Sequence, residues 1–267
     1  MLGGSVAWGF GASSNDNIPS SQIEKILKNK YNIDYNIINL SEQGYTSYEE
    51  VSSFIFSLHE LNPSMIIILG GTNDINAEYD NSYKKMSLYE DLTNFYLWGD
   101  KLGVFRERNF FKLFLKFFLR FYKKDIKINN EFYYYKKPQK HNISLDLYNM
   151  KIDFIKNYCF QKKIPVFNFL QPDLFFKKNK SEFETKYEIF EGDERKKFTI
   201  SKLNKFEKEF FSMSNNTNFF KNLSLLSCFD DYSKTLFVDR FHVSDRGYKI
   251  ISEQICSFIN RNKNIII

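Results

Sequence analysis

The chain has 267 residues, 43% hydrophobic and 26% charged, enough to bury a substantial core in one large domain or two small ones. Its formal charge of +6, from 38 Lys and Arg against 32 Asp and Glu, permits a polyanionic partner without demanding one. The composition excludes an acidic disordered chain, and no apolar run approaches the ~20 residues of a membrane helix.

Aromatic residues are the anomaly. There are 30 Phe and 17 Tyr, against alanine only at Ala7, Ala12 and Ala77. An AT-rich genome would give the same bias through Lys, Asn and Ile, so it carries little functional weight. The three cysteines, Cys159, Cys228 and Cys256, are scattered and odd in number. They read as buried small hydrophobes in a reducing compartment, not as a disulfide framework or a metal site. No basic-then-apolar leader opens the sequence, so a cytoplasmic location is expected.

In chain order, Gly3-Gly4-Ser5 forms a glycine-rich turn. Pro19-Ser20-Ser21 starts a helix with Ile23, Ile26 and Leu27 on one face. Tyr35 to Leu40 reads as a short strand. Thr46 and Glu49 have capping-box spacing ahead of a helix carrying Val51, Phe54, Ile55 and Leu58, and Asn62-Pro63 ends it. Met65 to Leu69 is an unbroken apolar run, as expected of a buried parallel strand, and stops at Gly70-Gly71.

After residue 77 the alternation lapses, and it resumes near His141. Tyr148, Ile152, Ile155 and Cys159 mark a helix, and Val166 to Leu170 a strand ending at Gln171-Pro172. A second Lys/Phe-rich stretch, 174–222, holds an amphipathic helix around Ile200 to Met213. Leu223 to Phe229 reads as the last strand. A final helix from about Ser244 buries Ile251, Ile255 and Phe258. Strands alternating with helices predict an α/β fold on a parallel sheet, one domain over 1–267 with insertions at about 77–142 and 174–222.

Polar signals fall where such a sheet places its reactive groups, at the carboxyl ends of strands. They are Gly3-Gly4-Ser5, Gly44 after the second strand, Gly71-Thr72-Asn73-Asp74 after the third, and Asp239-Arg240-Phe241-His242 before the last helix. Singly each is weak: a glycine-rich turn, a lone glycine, a capped turn, and a histidine that is more often structural than catalytic. Jointly they supply what ester hydrolysis needs: a nucleophile, a base, a group to orient the base, and oxyanion donors. The other histidines are less suggestively placed, His59 on a helix flank and His141 in the first insertion.

These four blocks, in this order, resemble the SGNH (GDSL-type) hydrolase family over residues 3–76 and 143–260. The opening from Gly3 to Ala12 is similar to members found in bacterial surface-carbohydrate gene clusters. The resemblance implies a three-layer α/β/α sandwich with a flavodoxin-like parallel sheet and a cofactor-independent, metal-independent serine esterase. Ser5 would be the nucleophile, His242 the base and Asp239 its orienting acid. The N–H groups of Ser5 and Gly44 and the amide of Asn73 would form the oxyanion hole. A small acyl ester of a carbohydrate, acetyl above all, is the implied substrate. The alternatives are a carbohydrate O-acyltransferase using the same triad and a non-catalytic glycan- or membrane-associated protein.

Two departures from the family pattern stand out. Gly4 occupies the place of its usual aspartate, which a turn tolerates. Only Met1 and Leu2 precede the motif, too few for a normal ~5-residue strand. That predicts either further residues upstream or a stub strand that holds Ser5 poorly. In the first insertion Arg108, Lys112, Lys116, Arg120 and Lys124 recur every fourth residue among phenylalanines. This is either a solvated helix face, a peripheral contact of residues 105–124 with an anionic membrane, or a cap over the site that contacts an acidic glycan. Nothing resembles a nucleic-acid-binding signature.

Overall fold

The computed structural model of the chain describes residues 1–80, 143–212 and 219–265. The chain divides into two compact units, Met1–Tyr79 with Ser144–Ile267, and Asp80–Ile143. The description below concerns the first. The basic stripe between Arg108 and Lys124, and His141, lie outside the described residues.

Four parallel strands form one sheet in the order β1-β2-β3-β4: β1 (Leu2–Gly3), β2 (Ile66–Gly70), β3 (Val166–Leu170) and β4 (Phe220–Ser224). Leu2 pairs with Ile68, Ile66 with Val166 and Val166 with Phe220. The helices are α1 (Ser5–Trp8), α2 (Pro19–Tyr31), α3 (Ser47–Leu61), α4 (Thr72–Tyr79), α5 (Ile143–Lys162), α6 (Glu182–Glu191), α7 (Asp193–Ser212) and α8 (Asp245–Arg261).

The central strands are apolar because both faces are covered, except for the buried Asn168 of β3, which accepts from the Tyr148 hydroxyl at 3.0 Å, and their alternation assigns each residue a side. Ile67, Leu69, Phe167 and Phe169 pack against Ile23 and Leu27 of α2 and Ile251, Ile255 and Ile259 of α8. On the opposite face, Ile66, Ile68, Val166 and Leu170 meet Phe54 of α3, Ile75 of α4, Tyr148, Ile152 and Ile155 of α5, and Leu203, Phe206 and Phe210 of α7. The result is the expected three-layer α/β/α sandwich. No helix among the described residues is long and apolar enough to cross a membrane.

Several local expectations shift. Residues 35–40 form no regular strand, yet the backbone from Ile38 to Glu42 runs beside β1 in parallel-ladder fashion. Met1 N donates to Ile38 O at 2.6 Å, Leu40 N to Met1 O at 2.9 Å and Glu42 N to Gly3 O at 3.3 Å. With that line counted, the order becomes the flavodoxin-like 2-1-3-4-5. A two-residue β1 is too short to propagate a longer ladder. The last strand lies three residues earlier than expected, at Phe220–Ser224, because Leu225 and Leu226 already turn inward from its end.

On α3, Ile55 faces solvent and the buried line is Ser47, Glu50 and Phe54. The apolar periodicity is offset there because a carboxyl group occupies an interior position. Within 174–222, α7 begins at Asp193, seven residues before the expected Ile200, and lies against the sheet.

Candidate active site

Ser5 emerges directly from β1. Gly3 permits this: its φ is +153°, and a Cβ there would lie 2.2 Å from Leu69 O and 2.5 Å from the Ala7 Cβ. The stub strand is therefore pressed against β2, and Ser5, 6% exposed, begins α1. As the first residue of that helix, its N–H has no intrahelical acceptor.

His242 lies on a loop closed like a hairpin. Phe237 and Val243 form an antiparallel bridge, Val238 N donates to His242 O at 2.9 Å, and Ser244 N to Leu236 O at 2.8 Å. The buried Glu184 holds the base of this loop by accepting from Leu236 N at 2.9 Å and Phe237 N at 3.1 Å. Its other oxygen meets the buried Lys177 Nζ at 2.6 Å. Leu174 N donates to Arg240 O at 2.8 Å and ties the loop to the end of β3.

The outcome is a continuous chain of contacts. The Nε2 of His242 lies 2.7 Å from Ser5 Oγ, and its Nδ1 lies 2.5 Å from Asp239 Oδ2. The other oxygen of Asp239 accepts from His242 N at 2.8 Å and Phe241 N at 3.0 Å. Partial burial pushes the Asp239 carboxyl up. The imidazole and the two backbone donors outweigh that and hold it below the usual carboxylate range. An ionised Asp239 places the Nδ1 proton between itself and the ring, which leaves Nε2 as an acceptor facing the serine hydroxyl.

Asn73 is the second residue of α4 and donates from Nδ2 to Tyr45 O at 2.8 Å. Gly71 gives this turn its shape, with φ +101° and only 2.7 Å between a would-be Cβ and Leu170 Cδ1. Asp74 fixes the turn to α3, its carboxylate accepting from Ser47 Oγ at 2.6 Å and Ser47 N at 3.1 Å. Gly44 lies in the exposed turn that Tyr45 N closes onto Glu42 O. The segments carrying Ser5, Gly44 and Asn73 thus converge, with the Asn73 amide touching both the carbonyl after Gly44 and the residue before Ser5.

Residues not singled out in the sequence complete the surroundings. The rings of Phe10 and Phe241 lie 4.3 and 4.5 Å from the His242 ring and confine it from two sides. Trp8 and Phe10 stay exposed. Arg240 is buried behind the loop, donates to Asn76 of α4, and has Nε 3.4 Å from Asp173 Oδ2. Burial raises the Asp173 carboxyl to about 6 even against this guanidinium. Phe241 and Arg240 stand between the two residues of the Asp-x-x-His block, so the motif itself pointed at them. Nothing local flagged Phe10 or Tyr45. Cys159 and Cys256 are buried and their thiols pushed up to about 12, which suits packing, not nucleophilic chemistry.

No protein-family model matches this sequence, and no curated protein does. Solved structures do. A lipase, Lip_vut3, from a goat rumen metagenome superposes with a TM-score of 0.53 at 15% identity, covering 96% of this chain and 94% of that one. An acetyl-xylooligosaccharide esterase, Axe2, of Geobacillus stearothermophilus gives 0.53 at 14% identity in one mutant, covering 98% of this chain and 91% of that one. A catalytic mutant of Axe2, there described as an acetylxylan esterase, gives 0.53 at 13% with the same coverage. This chain shares their fold. At such identities the likeness speaks for architecture, and the chemistry has to be argued from the site.

Proposed function

We propose that this protein is a serine esterase of the SGNH type that removes a small acyl group, acetyl first of all, from a carbohydrate. The observation that carries the reading is the unbroken relay from Ser5 Oγ through His242 to Asp239, with contacts of 2.7 and 2.5 Å. A hydroxyl is a poor nucleophile at its ordinary pKa, and a base within hydrogen-bond reach removes that obstacle.

In the proposed cycle Ser5 Oγ attacks the ester carbonyl while His242 Nε2 takes its proton. Asp239 stabilises the imidazolium and keeps the ring oriented. The N–H groups of Ser5 and Gly44 and the amide of Asn73 receive the developing oxyanion, each such donor being worth ~3 kcal/mol in the transition state. The imidazolium then protonates the departing sugar alkoxide. Water, deprotonated by the same imidazole, releases the acid from Ser5. The chemistry of the carbohydrate substrate draws support from the acetyl-xylooligosaccharide esterase among the structural neighbours, and from the exposed Trp8 and Phe10, whose faces suit a sugar ring.

Purified protein should hydrolyse p-nitrophenyl acetate, and S5A should reduce turnover to the solvent rate. Equal rates for the two proteins would end the esterase reading. Acetylated xylo-oligosaccharides should be deacetylated in preference to long-chain p-nitrophenyl esters, and the reverse preference would replace carbohydrate by lipid as the substrate class.

A further inference from the structure

Of the four residues in the Asp-x-x-His block, the one that is fully buried stands at neither end of it. Arg240 is 1% exposed, while Asp239, Phe241 and His242 each reach the surface in part. Three segments meet at this residue. Its Nη2 donates to Asn76 Oδ1 of α4, its Nε lies 3.4 Å from Asp173 Oδ2 just beyond β3, and its carbonyl accepts from Leu174 N at 2.8 Å. The Phe175 and Phe241 ring centroids lie 5.5 and 5.2 Å from the guanidinium carbon.

Stability does not account for burying a guanidinium there. Nε and Nη1 of Arg240 and Oδ2 of Asp173 complete no hydrogen bond among the described residues. Burial holds the Asp173 carboxyl at about 6 in spite of the neighbouring cation. An ion pair bonded this incompletely recovers less than its desolvation costs, and apolar side chains of similar volume would pack as well or better. A buried charge kept on such terms acts as a device that selects one arrangement of its surroundings.

The partners show which arrangement. Asn76 follows Asn73 by three residues on α4, so the two lie one turn apart on the same helix. The Phe241 ring that approaches the guanidinium also lies 4.5 Å from the His242 ring. The guanidinium thus touches both the helix that carries the oxyanion donor and the loop that carries the base. Its planar fork reaches Asn76 and Asp173 from different nitrogens, which the point charge of a lysine could not do.

We propose that Arg240 is a positioning residue that ties the loop of His242 to the helix of Asn73 and so holds base and oxyanion donor at a fixed separation. The inference rests on the esterase reading of the site and deepens it.

The R240M/D173N variant removes both charges at nearly constant volume, and N76A cuts only the tie to α4. With p-nitrophenyl acetate, R240M/D173N is expected to lower kcat by ~10–100-fold with KM little changed, the cost of displacing a catalytic group by of order 1 Å. Its unfolding temperature should equal or exceed that of wild type, which a residue serving stability would not allow. N76A should lower kcat by at least ~3-fold. Adding N76A to R240M/D173N should change kcat by no more than about twofold, because the tie is already cut. A wild-type kcat in R240M/D173N overturns the proposal, as do independent, multiplying losses in the triple variant. Should R240M/D173N fail to fold, N76A decides: a reduced kcat at the wild-type unfolding temperature supports the tie, and a wild-type kcat overturns it.

The ring-nitrogen resonances of His242 in 15N-labelled protein separate this proposal from the esterase reading. They are identified by their disappearance in H242Q and need no turnover. N76A leaves every residue of the loop in place, so a shift of these resonances in N76A supports the tie. It does so even if wild type shows no Ser5-dependent hydrolysis, which would sink only the esterase reading. Resonances unmoved in both N76A and R240M/D173N overturn the role of Arg240 whatever the kinetics.

Discussion

Replacing Asp239 by asparagine keeps the shape of the relay and changes only which atoms can donate, so its consequence can be worked out from the contacts. Two orientations are open to the new amide. In the first, its oxygen keeps accepting from His242 N and Phe241 N, at 2.8 and 3.0 Å, and its NH2 faces His242 Nδ1. Nδ1 must then accept, the ring proton moves to Nε2, and the imidazole presents a donor to Ser5 Oγ that cannot take a proton. In the second, the oxygen faces Nδ1 and preserves the useful tautomer. The NH2 then confronts two backbone N–H donors and leaves both unsatisfied, at about 1–3 kcal/mol each. The unproductive orientation is therefore favoured by roughly 2–6 kcal/mol, which depletes the competent tautomer by about 30-fold to more than 10⁴-fold. Loss of the negative charge beside the imidazolium adds to this. We expect D239N to lower kcat for p-nitrophenyl acetate by ~10³–10⁴ at pH 8, in line with such replacements in serine triads. Circular dichroism and thermal unfolding should report a folded protein. A D239N protein within tenfold of wild type, while S5A is inactive, would refute the assignment of Asp239 as the group that sets the histidine tautomer.

Two further predictions concern buried acids away from the reacting atoms. Glu50 is fully buried, has Oε2 without a hydrogen-bond partner, and is pushed well above the carboxylate range, first by burial and then by Asp74. Its folded-state pKa is raised, so its contribution to stability is greatest at low pH and declines as pH rises through the folded value. E50Q should therefore raise the unfolding midpoint at pH 8 and change it little at pH 4; a lower midpoint at pH 8 would refute this. Asp173, raised to about 6 by burial, has the same sign over a narrower window. Wild type should lose stability from this group between about pH 4 and pH 6, a decline of order 3 kcal/mol at about 1.4 kcal/mol per unit. D173N should flatten it, as urea denaturation at a series of pH values would show, and an unchanged slope would argue against a carboxyl that titrates there.

The parts of this protein that the sequence made legible share a physical reason. β2 and β3 are covered on both faces, so Ile66–Gly70 is apolar without interruption, Val166–Leu170 is apolar apart from the buried Asn168, and the two stop at Gly71 and Gln171. α5 announces itself through Tyr148, Ile152, Ile155 and Cys159 because the sheet covers one side of it and solvent the other. Where the environment is less regular, pattern misleads. The line beside β1 could not be delimited, since its ladder is set by a two-residue partner and not by its own alternation. The buried face of α3 was displaced because Glu50 occupies a core position, where no hydrophobic periodicity would seek it.

The site divides along the same line. Ser5, His242 and Asp239, which the fold brings into contact, could be picked out because the proposed chemistry restricts residue type and because a parallel sheet delivers such loop positions to one edge in a set order. The contacts that would tune them come from segments far apart in sequence, and their residue types are unremarkable there. Phe10 on His242, the Tyr45 carbonyl on Asn73 and Lys177 on Glu184 all belong to this group. Gly4 shows the difference most plainly. In the sequence it is one glycine of a glycine-rich turn, exchangeable for any residue that turns as well. In the fold a Cβ on it would lie 2.3 Å from Asn73 Nδ2, a closeness between segments nearly 70 residues apart that no local pattern could show.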